Sequence, residues 1–148
     1  MIDELCGAIC ARLEGLTDAS GKKIYAKVER YATDATTLKN LPVAAVYLAS
    51  DEAYPPRGTG KPVQRRTLTW HIGILVGALP AAKGQPQAGD IIDRTRDAFY
   101  GWQPASAGMA ATEAPDVRFV DQNSEMKLLY LLELDTKIYP TTFKLSEG

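Results

Sequence analysis

The stretch "RRTLTWHIGILVGA", residues 65–78, constrains the fold more than any other part of the chain. Leu68, Trp70, Ile72, Ile74 and Val76 fall on one side of it, and Thr67, Thr69, His71, Gly73 and Gly77 fall on the other. A period of two belongs to an extended strand whose successive side chains point to opposite faces. The apolar face must be covered, so the segment needs neighbouring strands and a layer packed on them. His71 points away from that core. Gly73 and Gly77 share its face, and a glycine inside a strand marks either close approach by another element or an irregular bend.

The other elements follow from the same periodicity arguments. Residues 2–16, "IDELCGAICARLEGL", place Ile2, Leu5, Cys6, Ile9, Leu13 and Leu16 at helical spacing, and Asp3 and Glu4 suit the positive end of the helix dipole. "KIYAKVERY" alternates Ile24, Ala26 and Val28 against Tyr25, Lys27 and Glu29, which predicts a half-buried strand. "PVAAVYLAS" is apolar on both faces, as a central or doubly covered strand would be, with Pro42 at its first position. After the turn-rich "ALPAAKGQPQAG", residues 90–102 set Ile91, Ile92, Thr95, Phe99 and Trp102 on one helical face. Asp90 and Arg94 are spaced to pair on the other, solvated face.

"DVRFVDQ" and "MKLLYLLELDTKIY" read as two further strands, joined by "NSE", which is short enough for a hairpin. Met126, Leu128, Tyr130, Leu132 and Leu134 make one face of the last strand, but Leu129 and Leu131 break the polar pattern of the other. An apolar pair facing outward asks for cover by a helix or a neighbouring subunit. The predicted fold is therefore α+β, in the order α-β-β-β-α-β-β. Two helices pack on a mostly antiparallel, mixed sheet of about five strands, in one domain over residues 1–148. A long loop separates the second and third strands.

Composition narrows the function classes. A chain of 148 residues, 45% hydrophobic, can bury about 68–70% of its unfolded surface around one core. The 17 Lys and Arg almost balance 18 Asp and Glu, so the chain lacks the excess charge on which non-specific nucleic-acid binding relies. No apolar run approaches the roughly 20 residues of a membrane span, and "MIDELCGAIC" lacks the basic start of a secretory signal. A soluble protein that stays where it is made is expected.

The loop "PPRGTGKPVQRR", residues 55–66, holds a Gly-x-Gly-Lys like that of a phosphate-binding loop. That motif needs a glycine where this chain has Pro55 and a hydroxyl where it has Pro62, so it fails at both ends. A basic, solvated loop remains. Cys6 and Cys10, the only cysteines, stand four apart on one side of the first helix, which is neither a CxxC redox pair nor a complete metal site. They are expected to pack as small hydrophobes. His71 is the only histidine, and nothing near it in sequence suggests a metal site or a Ser-His-Asp arrangement. No catalytic residue, cofactor or metal is implied.

The run "LPVAAVYLASDEAYPPRGTGKPVQRRTLTWHIGILVGA", followed by "AGDIIDRTRDAFYGWQP", resembles the Mu-like phage tail-terminator family in its helix, strand, long loop, strand, helix order. The resemblance covers roughly residues 1–135 and leaves the C-terminal residues 141–148 unmatched. It implies a structural virion protein, not an enzyme, that caps the tail tube as a ring of identical subunits, normally six, and provides the head-to-tail joining surface. Its partners would be further copies of itself, the tail tube protein and a head-tail connector. DNA would pass through the ring without sequence-specific recognition. The implied place is the tail–neck junction of the virion, reached from the host cytoplasm.

A ring joins one surface of a subunit to a different surface of the next. Gly73, Gly77, Leu129 and Leu131 are the candidate contact points, and Arg57, Lys61, Arg65 and Arg66 are the candidate cations for carboxylates on a neighbour or on the tube. The loop from Asp51 to Arg66 would reach up to roughly 50 Å fully extended and about half that as a hairpin. Two other readings stay open: a different head-tail connector or neck protein, and a small-ligand binder or enzyme using residues 51–66 as a lid.

Overall fold

The computed structural model of the chain describes residues 2–30, 42–54, 65–77, 88–103, 115–122 and 127–138. The elements are α1 (Ile2–Glu14), β1 (Lys27–Arg30), β2 (Val43–Tyr54), β3 (Arg65–Gly77), α2 (Ala88–Phe99), β4 (Asp116–Gln122) and β5 (Lys127–Ile138). The fold is α+β, with a mixed five-stranded sheet in the order β1-β2-β3-β5-β4. Every neighbouring pair is antiparallel except β1 and β2. β3 holds the centre of the sheet, where its alternation requires it to be.

The apolar face of β3 is the floor of the core. Leu68, Trp70, Ile72 and Ile74 are fully buried, and they pack with Ala44 and Val46 of β2, Leu132 and Leu134 of β5, and both helices. α1 contributes Leu5, Cys6, Ile9, Cys10 and Leu13, and α2 contributes Ile91, Ala98 and Phe99. Both helices therefore cover one face of the sheet. The acidic residues Asp3 and Glu4 in the first turn of α1 and Arg12 in its last complement the helix dipole. Two residues past the end of α2, Gly101 has a φ of 69° that a residue with a Cβ adopts only at a cost. Among the described residues no helix is long and apolar enough to cross a membrane.

Buried polar groups are paired within this core. The Thr95 hydroxyl donates to the Ile91 carbonyl at 2.7 Å, so the 2.6 Å contact with the Tyr25 phenol has Tyr25 as donor. Trp70 Nε1 donates to Thr136 Oγ1 at 3.2 Å, and the Thr136 hydroxyl in turn donates to the Leu68 carbonyl at 3.1 Å. Burial pushes the Tyr25 phenol up, which keeps the donor protonated.

Several boundaries differ from the sequence expectation. The first strand is four residues long, and Ile24 and Tyr25, expected on opposite faces, are both buried before it begins. The reason lies upstream, in a tight turn: Asp18 Oδ1 accepts from the Ser20 and Lys22 amides at 2.9 and 3.0 Å, and Gly21 sits at φ 84°. This turn brings residues 24 and 25 across the helix layer, where Tyr25 reaches Thr95, and only then does the chain enter the sheet. α1 stops at Glu14 instead of residue 16, and α2 spans residues 88–99 instead of 90–102. β2 runs on to Tyr54 through a bulge between Leu48 and Ser50. The expected "NSE" connection and Met126 lie outside the described residues, while β4 and β5 pair as expected.

Candidate functional site

The face of the sheet turned away from the helices carries Gly73, Gly77, Leu129 and Leu131, four of the eight candidate contact residues. Register alone assembles it: Val43, Leu75 and Leu129 form one row across β2, β3 and β5, and Ala45, Gly73 and Leu131 form the next. Val43, Ala45, Gly73 and Leu75 are buried, Leu131 is 9% exposed and Leu129 is half-buried. The outward apolar pair is thus part of a larger apolar patch. Leu131 and Gly73 are already covered within the single chain, so of these positions Leu129 offers side-chain surface to a neighbour.

Gly73 lies in an uninterrupted ladder with Ala45 on one side and Leu131 on the other, which overturns the alternative of a bend at this position. Gly77 closes β3 opposite Lys127 and is exposed. Among the described residues nothing stands within 4 Å of where its Cβ would be.

The next row is polar. Tyr47, His71 and Glu133 face one another across β2, β3 and β5. His71 Nε2 lies 3.1 Å from Glu133 Oε1, and Nδ1 lies 3.0 Å from the Tyr47 hydroxyl. An ionised carboxylate only accepts, so Nε2 carries the proton and Nδ1 accepts from Tyr47 O–H. The Tyr47 and His71 rings also meet edge to face at 5.3 Å. Beyond them the Thr69 hydroxyl donates to Asp135 at 2.7 Å. His71 points away from the main core, as its place in the alternation predicts, and its hydrogen bonds are made within its own sheet face.

At the far end of the sheet β2 and β3 continue as a paired stem, from Ser50 opposite Thr69 to Tyr54 opposite Arg65. The expected 51–66 loop is therefore shorter: residues 51–54 and 65–66 are strand, and only 55–64 connect them. Arg66 donates to Asp51 twice, Nη2 to Oδ2 at 2.5 Å and Nε to Oδ1 at 3.2 Å. Its hydrogen bonds hold the Asp51 carboxyl below the usual carboxylate value. Arg66, a candidate cation for carboxylates on a neighbour or on the tube, is thus paired with Asp51 of its own hairpin. Of Arg65 only the backbone is described, and Arg57 and Lys61 lie outside the described residues.

The cysteines are free and buried. Burial, with Cys6 beside it, pushes the Cys10 thiol up to about 11, so it stays protonated and unreactive at neutral pH. Among the described residues no group of three or more His, Cys, Asp and Glu could hold a metal ion.

Sequence reasoning anticipated β4 as a strand but not that it is an edge with exposed apolar side chains. Asp116, Arg118, Phe119 and Val120 are all exposed there, Phe119 at 53% and Val120 at 48%. The adjacent "FV" inside an otherwise alternating strand was the available signal, because a two-residue apolar run cannot put both side chains on one face without a bulge. The bulge is present between Phe119 and Asp121. A scan of the chain against protein-family models and a search of curated proteins both return no match.

Proposed function

We propose that this chain is a structural virion protein that closes the end of a phage tail tube as a ring of identical subunits, six by the resemblance, and presents the surface that joins tail to head. One observation carries the reading furthest. β2 and β3 stay paired to their ends at Tyr54 and Arg65, and the Asp51–Arg66 pair braces the outer part of that ladder, so the basic segment 55–64 joins the two ends of a stiff stem. A segment held on such a stem suits an arm that reaches a neighbouring subunit or the last ring of the tube, with Arg57 and Lys61 as its charges. The element order of the fold is also the order that the resemblance implies. Tail tube protein and a head-tail connector are the partners of this reading, and DNA passes through the ring.

Negative-stain imaging of the purified full chain, alone and with tail tubes, tests it. Closed rings of tube width at tube ends are expected. Monomers that leave tube ends bare at saturating concentration would refute the reading, and a bound small molecule released on denaturation would favour a ligand-binding protein whose lid is residues 55–64.

A further inference from the structure

We infer that the free edge of β4 is a homophilic strand-pairing site, at which β4 of a second copy adds antiparallel about Val117. Among the described residues β4 closes one side of the sheet, with β5 on its inner flank only. An edge strand offers unpaired N–H and C=O groups to any strand that matches it, and folds usually blunt such edges. Here the edge also presents Phe119 and Val120, two of the three exposed large hydrophobic residues among those described. Phe119 is held in place, edge to face with Tyr130 at 5.5 Å.

Charge selects the partner. Asp116 and Arg118 lie opposite Glu133 and Leu131, so both project from the face turned away from the helices, and both are exposed. Two β4 strands paired antiparallel about Val117 set Asp116 of each copy against Arg118 of the other, Val117 against Val117, and Phe119 against Pro115. Two opposite-charge pairs and one apolar row are formed at once, in an isologous contact. The other sheet edge matches poorly. Lys27 and Glu29 of β1 project from that same outward face, since they lie opposite Val43 and Ala45. Antiparallel pairing with faces kept together then sets Asp116 against Glu29 and Arg118 against Lys27. Lys27 and Glu29 are moreover paired with each other at 2.8 Å. The bulge after Phe119 ends the pairing run, so the contact is short and weak. It is independent of the ring reading, whose contacts are heterologous.

Sedimentation of the full chain over a concentration series tests the inference. Wild type is expected to show a reversible, concentration-dependent dimer. Arg118→Asp and Asp116→Arg each bring like charges together and should weaken it by on the order of tenfold or more. An equimolar mixture of these two variants restores both opposite-charge pairs, and so does the double variant Asp116→Arg/Arg118→Asp; both are expected to dimerise as wild type does. Amide exchange at residues 116–119 should slow with concentration in wild type and in the mixture, but not in either single variant. Melts at wild-type temperature confirm that the exposed substitutions leave the fold intact. A wild type that stays monomeric at its highest soluble concentration would overturn the inference, as would single variants that dimerise normally or a mixture that stays monomeric. Rings that assemble equally well from both single variants, with no dimer, would overturn this contact and leave the ring reading standing.

Discussion

Tyr25 and Thr95 show how a single residue ties the chain's first third to its second helix. Tyr25 donates to Thr95, and Thr95 donates to Ile91, so the two deletions are not equivalent. Tyr25→Phe removes the donor and leaves Thr95 still bonded, for a loss of about 1 kcal/mol, whereas Thr95→Val strands a buried phenol and should cost about 1–3 kcal/mol. Urea midpoints should rank Thr95→Val below Tyr25→Phe, and the reverse order would mean the phenol finds another partner. At the surface, the Ser20 hydroxyl and the Lys22 amide hold the Asp18 carboxyl down, and Arg66 does the same for Asp51. A depressed carboxyl favours the folded state above its unfolded value, about pH 4, and that share is lost as pH falls through the folded value. The melting temperature should therefore drop below pH 4, and Asp18→Asn with Asp51→Asn should melt lower than wild type at pH 7 while converging on it near pH 2. A constant gap down to pH 2 would assign the difference to packing instead of charge.

At the scale of elements, one substitution at two glycines separates backbone from space. In α1 a Cβ on Gly7 would stand 2.5 Å from Arg30 Nη2, the far end of a flexible side chain that can move aside. Helix propensity then decides the sign, and Gly7→Ala is expected to stabilise by about 0.5–1 kcal/mol. Just past α2 no described residue crowds Gly101, yet its φ of 69° disfavours any Cβ, so Gly101→Ala should destabilise by about 1 kcal/mol. Thermal melts of the two variants should move in opposite directions. The β2–β3 hairpin obeys a third rule: its stem is paired and braced, so replacing residues 55–64 by a short Gly-Ser turn should leave the melt within a few degrees. If the segment is the arm of the proposed ring, particle yield should fall sharply in that variant. Normal yield would remove the arm from the reading.

For the whole molecule, the two faces of the sheet divide the work. One carries both helices and the main core; the other carries the apolar patch and the Tyr47–His71–Glu133 row. His71→Ala should cost about 1 kcal/mol, since its partners are partly exposed and can turn to water, and on the proposed reading tail joining should survive it. A folded His71→Ala protein that fails to complete tails would reveal a site on this face. If Arg57 and Lys61 meet acidic partners, raising salt should weaken assembly without lowering the melt, because exposed charge pairs are screened while the core is not.

The sequence by itself determined what depends on local period and burial. The faces of β3 and β5, the stripes of α1 and α2, the buried cysteines and the outward-facing His71 were all legible, because each follows from spacing along one segment. The α+β class followed from the order of those segments. Tertiary structure decided whatever depends on residues far apart in the chain. Tyr25 left the strand pattern because Thr95 offered a buried acceptor, and β1 became a short parallel strand because the turn at Asp18 delayed its entry to the sheet. Arg66 fell at the end of the expected 51–66 loop, yet the β2–β3 register placed Asp51 beside it and turned the loop's ends into strand. The exposed edge at β4 was hidden for the same reason: a strand is an edge only by its place among the others, and that order is set by long-range pairing, which no local period records.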